Sequence, residues 1–297
     1  RNKTLSGILL MLGFTITAPF IDAFAKLAGK EIPVFEISAS RFLVQSLILF
    51  PLAISLNVFY KPDNKEVFFH FIRAFLILTA TSFFILAVKF LPLADAISIF
   101  FVSPFILTIL GNFILKEKIG FRRILACLIG FLGAILIIQP QYINFGYAST
   151  FPLITAICFS FYLLLTRTMT QKKNPITIQL YTSLTALVFI IPILYFMDGS
   201  NNIYFDPIIP NKYYLLLMLG VGVSATVSHL FLTFAFKLTE VSILAPLQYF
   251  EIVSATILGY LIFNDFPNGL TFTGIFLIVS AGLYIFLREK KIKTKIY

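Results

Sequence analysis

The sequence predicts an all-α integral membrane protein with ten transmembrane helices. They form two inverted-topology five-helix repeats, with both termini on the inside. Three observations predict this. Of 297 residues, 59% are hydrophobic and 12% charged, when about a quarter of a soluble domain is charged. The apolar residues fall in blocks of about 20, the length a helix needs to cross the hydrocarbon core. The two halves of the chain also match each other in register.

In order, the blocks place spans at 4–27, 33–58, 67–90, 93–115, 121–139, 149–168, 175–197, 212–237, 241–263 and 270–288. The first block is long and followed by more, so it reads as span 1 and not as a cleavable leader. Connections are short, which makes one bundle. Only DGSNNIYFDPIIPN, 198–211, has room for structure of its own.

Lysine and arginine orient the spans. With the N-terminus inside, the inner face collects seventeen basic residues, among them Lys61, Lys116, Arg123, Lys173 and five from Arg288 onward. The outer face has four: Lys26, Lys30, Lys89 and Lys212. Arg41 and Arg73 lie within spans and are left out of the count. The net charge of +10 thus belongs to short loops and a basic cytoplasmic tail, 289–297, and calls for no nucleic acid.

Residues 87–138 lie over 235–286 at an offset of 148. Lys89 falls on Lys237, Gly111 on Gly259, Glu117 on Asp265 and Gly133 on Ala281. At a slightly smaller offset, PVFEI (33–37) lies over PITIQ (175–179), and both open their spans. The repeats are drawn at 4–139 and 149–288. Five is odd, so the second copy sits upside down. Many secondary transporters are built this way, with the substrate site near the midplane between the halves. Some channels and membrane enzymes carry inverted repeats too.

FFVSPFILTILGNFILKEKIGFRRILACLIGFLGAILIIQP (100–140) and SHLFLTFAFKLTEVSILAPLQYFEIVSATILGYLIFNDFPNGLTFTGIFLIVSAGLYIF (228–286) resemble the two EamA domains of the drug/metabolite transporter superfamily. DAFAK (22–26) and PVFEISASR (33–41) resemble the start of the first domain in one bacterial branch. Nearly the whole chain takes part. The resemblance implies ten helices, termini inside and alternating access across the bacterial inner membrane. Members carry amino acids, nucleotide-like metabolites, amines, riboflavin or S-adenosylmethionine. Asp265 stands where many members have Glu.

Ionisable residues inside spans are site candidates, because burying one costs at least about 2.5–3.5 kcal/mol on insertion scales. Glu251 falls at the middle of span 9, beside Gln248 and Tyr249. Its repeat partner Ser103 precedes Pro104, a proline that bends span 4 and frees carbonyls. The two segments would face each other across the pseudo-twofold axis. Glu251 is a candidate for binding substrate and for coupling transport to protons or a counter-substrate; bonding to a neighbouring Tyr or Ser is the plainer alternative. Pro246 falls in the first turn or two of span 9, where a helix tolerates it.

Arg41 lies deep in span 2, reached from the outer side. Paired with Asp22 or Glu36 it would form an outer gate; unpaired, it would hold a substrate carboxylate or phosphate. His229, beside Ser228, either relays protons, binds substrate or fills the bundle interior. Thr79, Thr81, Ser82, Tyr162, Gln179 and Tyr181 are weaker candidates. Gly220 and Gly222 suit close helix packing. Cys127 and Cys158 have no pair spacing and read as small buried residues. With two histidines, no P-loop and no metal motif, neither a metal, a cofactor nor ATP hydrolysis is expected.

These readings point to a secondary active transporter for a small polar or zwitterionic metabolite, such as an amino acid or S-adenosylmethionine. A membrane-embedded enzyme acting on lipid-linked substrates, or a channel, is the alternative.

Overall fold

The computed structural model describes residues 3–91, 96, 99–117, 120–138, 146–263 and 269–294. Among these, every regular element is a helix: α1 (Lys3–Ala28), α2 (Val34–Ser55), α3 (Asn64–Phe90), α4 (Ser103–Phe113), α5 (Phe121–Ile138), α6 (Thr150–Thr170), α7 (Pro175–Met197), α8 (Lys212–Leu238), α9 (Phe250–Phe263) and α10 (Gly269–Thr294). Seven described segments are long and apolar enough to cross a membrane, and Ser103–Phe113 and Phe272–Tyr284 are shorter apolar helices.

Local chemistry sets the helix starts. Asp63 accepts the Glu66 N–H at 2.7 Å while Glu66 accepts the Asp63 N–H, a reciprocal cap on α3. Asn174 and Asn211 cap α7 and α8 through the amides of Ile176 and Tyr214.

Spans 4 and 9 are not single helices. A turn at Phe101–Val102 precedes α4. Before α9 the chain makes one α-turn, Val241–Leu244, and then a 3₁₀ stretch, Ala245–Tyr249. Proline lacks the N–H that would continue an α ladder, and Pro104 and Pro246 sit at these two breaks. Span 10 runs past 288 as helix to Thr294. Residues 264–268, with Asp265, and the last three positions of the basic tail lie outside the described residues.

The helices pack in a reciprocal pattern: α1 on α8 and α3 on α6, α4 on α6 and α9 on α1, with α2 on α7 and α5 on α10. At Gly222 the Val44 side chain occupies the space a Cβ would take, so α2 and α8 approach as only glycine permits. Outward faces are greasy: Leu47, Phe75, Leu132, Val188, Leu216 and Phe276 are 56–70% exposed. Polar side chains turn inward, as a lipid solvent requires.

Each end of the bundle is tied. The 198–211 loop does carry structure: Asp206 accepts the Gly199 and Asn201 amides at 2.9 and 2.7 Å. It docks on α2, where the Ile208 N–H donates to Glu36 at 3.0 Å and the Phe35 and Phe205 rings stack 4.4 Å apart. At the opposite end Glu117 accepts the Val241 and Ser242 amides, both at 3.2 Å, and lies 3.5 Å from Arg167. Arg123 pairs with Glu240 at 2.9 Å. These loop charges are structural ties, in line with their interfacial positions in the sequence.

Candidate functional site

A cavity of about 120 Å³ lies between α1, α2, α3, α6, α8 and α9. Five phenylalanines line it: Phe14, Phe84, Phe100, Phe101 and Phe159. Among them stand Asp22, Arg41, Thr81, Thr155, His229 and Glu251. The fold thus brings together four residues singled out in the sequence: Glu251 from the first turn of α9, Arg41 from α2, His229 from α8 and Asp22 from α1.

Arg41 is buried, and its guanidinium donates to Thr81 Oγ1 at 2.6 Å and contacts His229 Nε2 at 2.7 Å. Its Nε is buried with no partner among the described residues. The expected ion pair with Asp22 or Glu36 is not formed among those residues. Glu36 is held away by the Ile208 amide, and Asp22 lines the same cavity as Arg41 without pairing with it. Asp22 and Glu251 line the same cavity. The cavity therefore offers a cation with a spare donor and two carboxyl groups between aromatic rings. Such a set can orient a molecule carrying an anion, a cation and a flat apolar body.

Four other candidates sit apart from the lining. Tyr249 is fully buried, with its hydroxyl 3.2 Å from the Phe101 carbonyl oxygen and 3.9 Å from Cys127 Sγ. Gln248 is buried beside it, and its Nε2 has no partner among the described residues. Ser103 Oγ lies 2.9 Å from Ser160 Oγ and binds α4 to α6. Glu36 anchors the 198–211 loop.

Behind the cavity lies a residue that sequence reasoning noted only as falling within a span. Arg73, fully buried, donates to Thr166, to the Ile178 carbonyl, to Thr182, to Tyr162 and to Gln179. The guanidinium also lies over the Tyr162 ring, 4.4 Å from its centroid. Tyr162 Oη is 3.1 Å from His229 Nδ1, which continues the network into the cavity. Tyr162 and Gln179, weak candidates by position alone, owe their place to Arg73. An arginine inside an apolar block was the signal available for it, the same signal that marks Arg41. Among the described residues, no group of three His, Cys, Asp or Glu is placed to hold a metal ion.

A family model described as the EamA-like transporter family matches residues 5–139 and 147–287. The chain is 26% identical to the S-adenosylmethionine uptake transporter of Rickettsia prowazekii, over 97% of this chain and 94% of that one. With the protein of the same name from Rickettsia bellii it shares 27% identity, over 99% and 98%. The riboflavin transporter of Vibrio cholerae is 23% identical, over 98% and 96%. A crystal structure with 17% sequence identity superposes with a TM-score of 0.77, covering 94% of this chain and 96% of that chain, which shows a shared fold.

Proposed function

The chain belongs to the EamA-like transporter family, and from that premise we propose that it carries a zwitterionic metabolite with a flat ring, of the S-adenosylmethionine type, across a bacterial inner membrane. It is a multi-pass membrane transporter of small metabolites and not an enzyme. The observation that carries the substrate reading is the cavity itself. Arg41 keeps a donor for a carboxylate, Asp22 and Glu251 face a cationic group, and the phenylalanine rings offer faces to a heterocycle or a sulfonium. Riboflavin would use the rings but leave the Arg41–carboxyl pair without a zwitterion to match, so the charged set favours the sulfonium amino acid.

The transport cycle we propose is alternating access between two inverted five-helix repeats, 4–139 and 149–288, with ten spans and both termini cytoplasmic. The reciprocal helix packing supports it: exchanging α1 with α6, α2 with α7, α3 with α8, α4 with α9 and α5 with α10 maps every major contact onto another or, for α2–α7 and α5–α10, onto itself. The seventeen-to-four distribution of basic residues supports the orientation. In this orientation the cavity occupies the outer half, and the Glu117, Arg167 and Arg123–Glu240 ties close the inner end. Glu251 serves as the coupling carboxyl and Asp22 as its partner in gating.

Counterflow in proteoliposomes tests this. Vesicles loaded with unlabelled S-adenosylmethionine are expected to accumulate the labelled compound transiently. Accumulation of riboflavin alone would overturn the zwitterion reading. Flux without stimulation from the opposite side would point to a channel.

A further inference from the structure

The two buried arginines differ in one respect. All five N–H donors of Arg73 are taken. Nε donates to Thr166 at 3.0 Å, one terminal nitrogen to the Ile178 carbonyl at 3.2 Å and to Thr182, and the other to Tyr162 at 2.9 Å and Gln179 at 2.5 Å. Both threonines donate their own protons back along their helices, to the carbonyls of Tyr162 and Ile178 at 2.7 and 2.8 Å. Their lone pairs are thus left to the guanidinium. Arg41, by contrast, has an Nε with no partner among the described residues.

A guanidinium donates and never accepts, so the direction of each bond between the two arginines is fixed. Arg41 donates to His229 Nε2, which places the ring proton on Nδ1. That proton is donated to Tyr162 Oη at 3.1 Å. Tyr162 also accepts from Arg73, and it gives its hydroxyl proton to Gln179 Oε1 at 3.1 Å. Two bonds accepted and one donated exhaust a phenol. A proton on Nε2 would instead face the Arg41 N–H across 2.7 Å.

We propose that Arg73 is a positioning residue for substrate binding: acting through Tyr162 and His229, it holds the Arg41 guanidinium so that Nε–H stays free for the substrate's anionic group. This rests on the reading of the cavity as the transport site. Among the described residues the Arg73 side chain hydrogen-bonds to no lining residue, and it reaches the cavity through the Tyr162–His229 link. Its five neutral acceptors come from α6 and α7, so it joins α3 of one proposed repeat to two helices of the other.

The test uses the 297-residue chain in nanodiscs. It has two histidines, His70 and His229, so ¹⁵N-histidine labelling with His70→Gln leaves one ring to observe. The wild-type His229 signal is expected to show protonation at Nδ1 alone. Tyr162→Phe keeps the ring under Arg73 and deletes only the hydroxyl link, so it serves should Arg73→Met fail to fold. It is expected to leave the His229 Nδ1–H without its acceptor and so shift the Nδ1 resonance, while the Arg41 donor keeps Nε2 unprotonated. In counterflow with the labelled sulfonium amino acid, it should raise KM about tenfold, the worth of one hydrogen bond to a charged group. Vmax should stay within about twofold, which a general loss of structure would not spare. A wild-type ring protonated at Nε2 would overturn the proposal, as would a Tyr162→Phe protein with unchanged KM. If the wild type shows the Nδ1–H ring but carries no labelled compound, the choice of substrate fails and the hydrogen-bond lock stands.

Discussion

The Tyr249 hydroxyl donates to the backbone carbonyl of Phe101 at 3.2 Å, and these two residues are 148 positions apart. That is the offset at which the two halves of the sequence match. Their rings lie 5.5 Å apart, and each residue ends the irregular stretch, or stands within it, ahead of α4 or α9. Corresponding positions of two inverted copies meet only where they approach the axis relating them, so this contact supports the repeat proposed above.

Tyr249→Phe deletes that bond and keeps the ring. The Phe101 carbonyl is then buried without its side-chain partner, at a cost of about 1–3 kcal/mol. The expected outcome is a lower unfolding temperature in detergent, with KM in counterflow unchanged because Tyr249 does not line the cavity. A tenfold rise in KM would instead place Tyr249 in contact with substrate.

Glu251→Gln keeps the shape of the first turn of α9 and removes its charge. We expect a folded protein with normal thermal stability, whose transport is reduced and no longer responds to pH. A pH profile matching the wild type would remove Glu251 from the coupling role.

Arg41→Lys retains a cation but not the planar set of donors that meets Thr81, His229 and an incoming anion together. Binding of the labelled compound should weaken by about tenfold or more, on the scale of one charge-assisted hydrogen bond. A matched analogue with its carboxylate converted to the amide should lose little between wild type and variant. Equal losses for both compounds would mean that Arg41 only supports the fold.

Gly222→Val places a branched side chain where Val44 already sits. Overpacking of this kind costs about 1–3 kcal/mol. It should appear as a lowered melting temperature, relieved in part by Val44→Ala.

Much of this was legible in the sequence because lipid is an unforgiving solvent. Apolar blocks and basic loops can be read directly, and Asp22, Arg41, His229 and Glu251 stand out as ionisable groups inside such blocks. What could not be read was which neighbours along the chain share a face. Gln248 and Tyr249 precede Glu251 on a 3₁₀ stretch, whose three-residue turn rotates them away from the cavity. Glu36 sits on the right helix, yet the Ile208 amide, far along the chain, claims its carboxylate. Arg73 stood out in the same way, inside an apolar block, but its partners could not be read, since its five acceptors are spread over α6 and α7.

The 3₁₀ stretch has a mechanical meaning as well. A 3₁₀ helix rises about 2.0 Å per residue and an α-helix about 1.5 Å. The five residues Ala245–Tyr249 would therefore shorten by about 2.5 Å on passing into α register. With Val241 and Ser242 clamped by Glu117 at one end, that stroke would be delivered to α9 and to Glu251 at its head. In the alternating-access cycle proposed above, a structure trapped with the opposite face open would record it as a shorter Ser242-to-Glu251 separation.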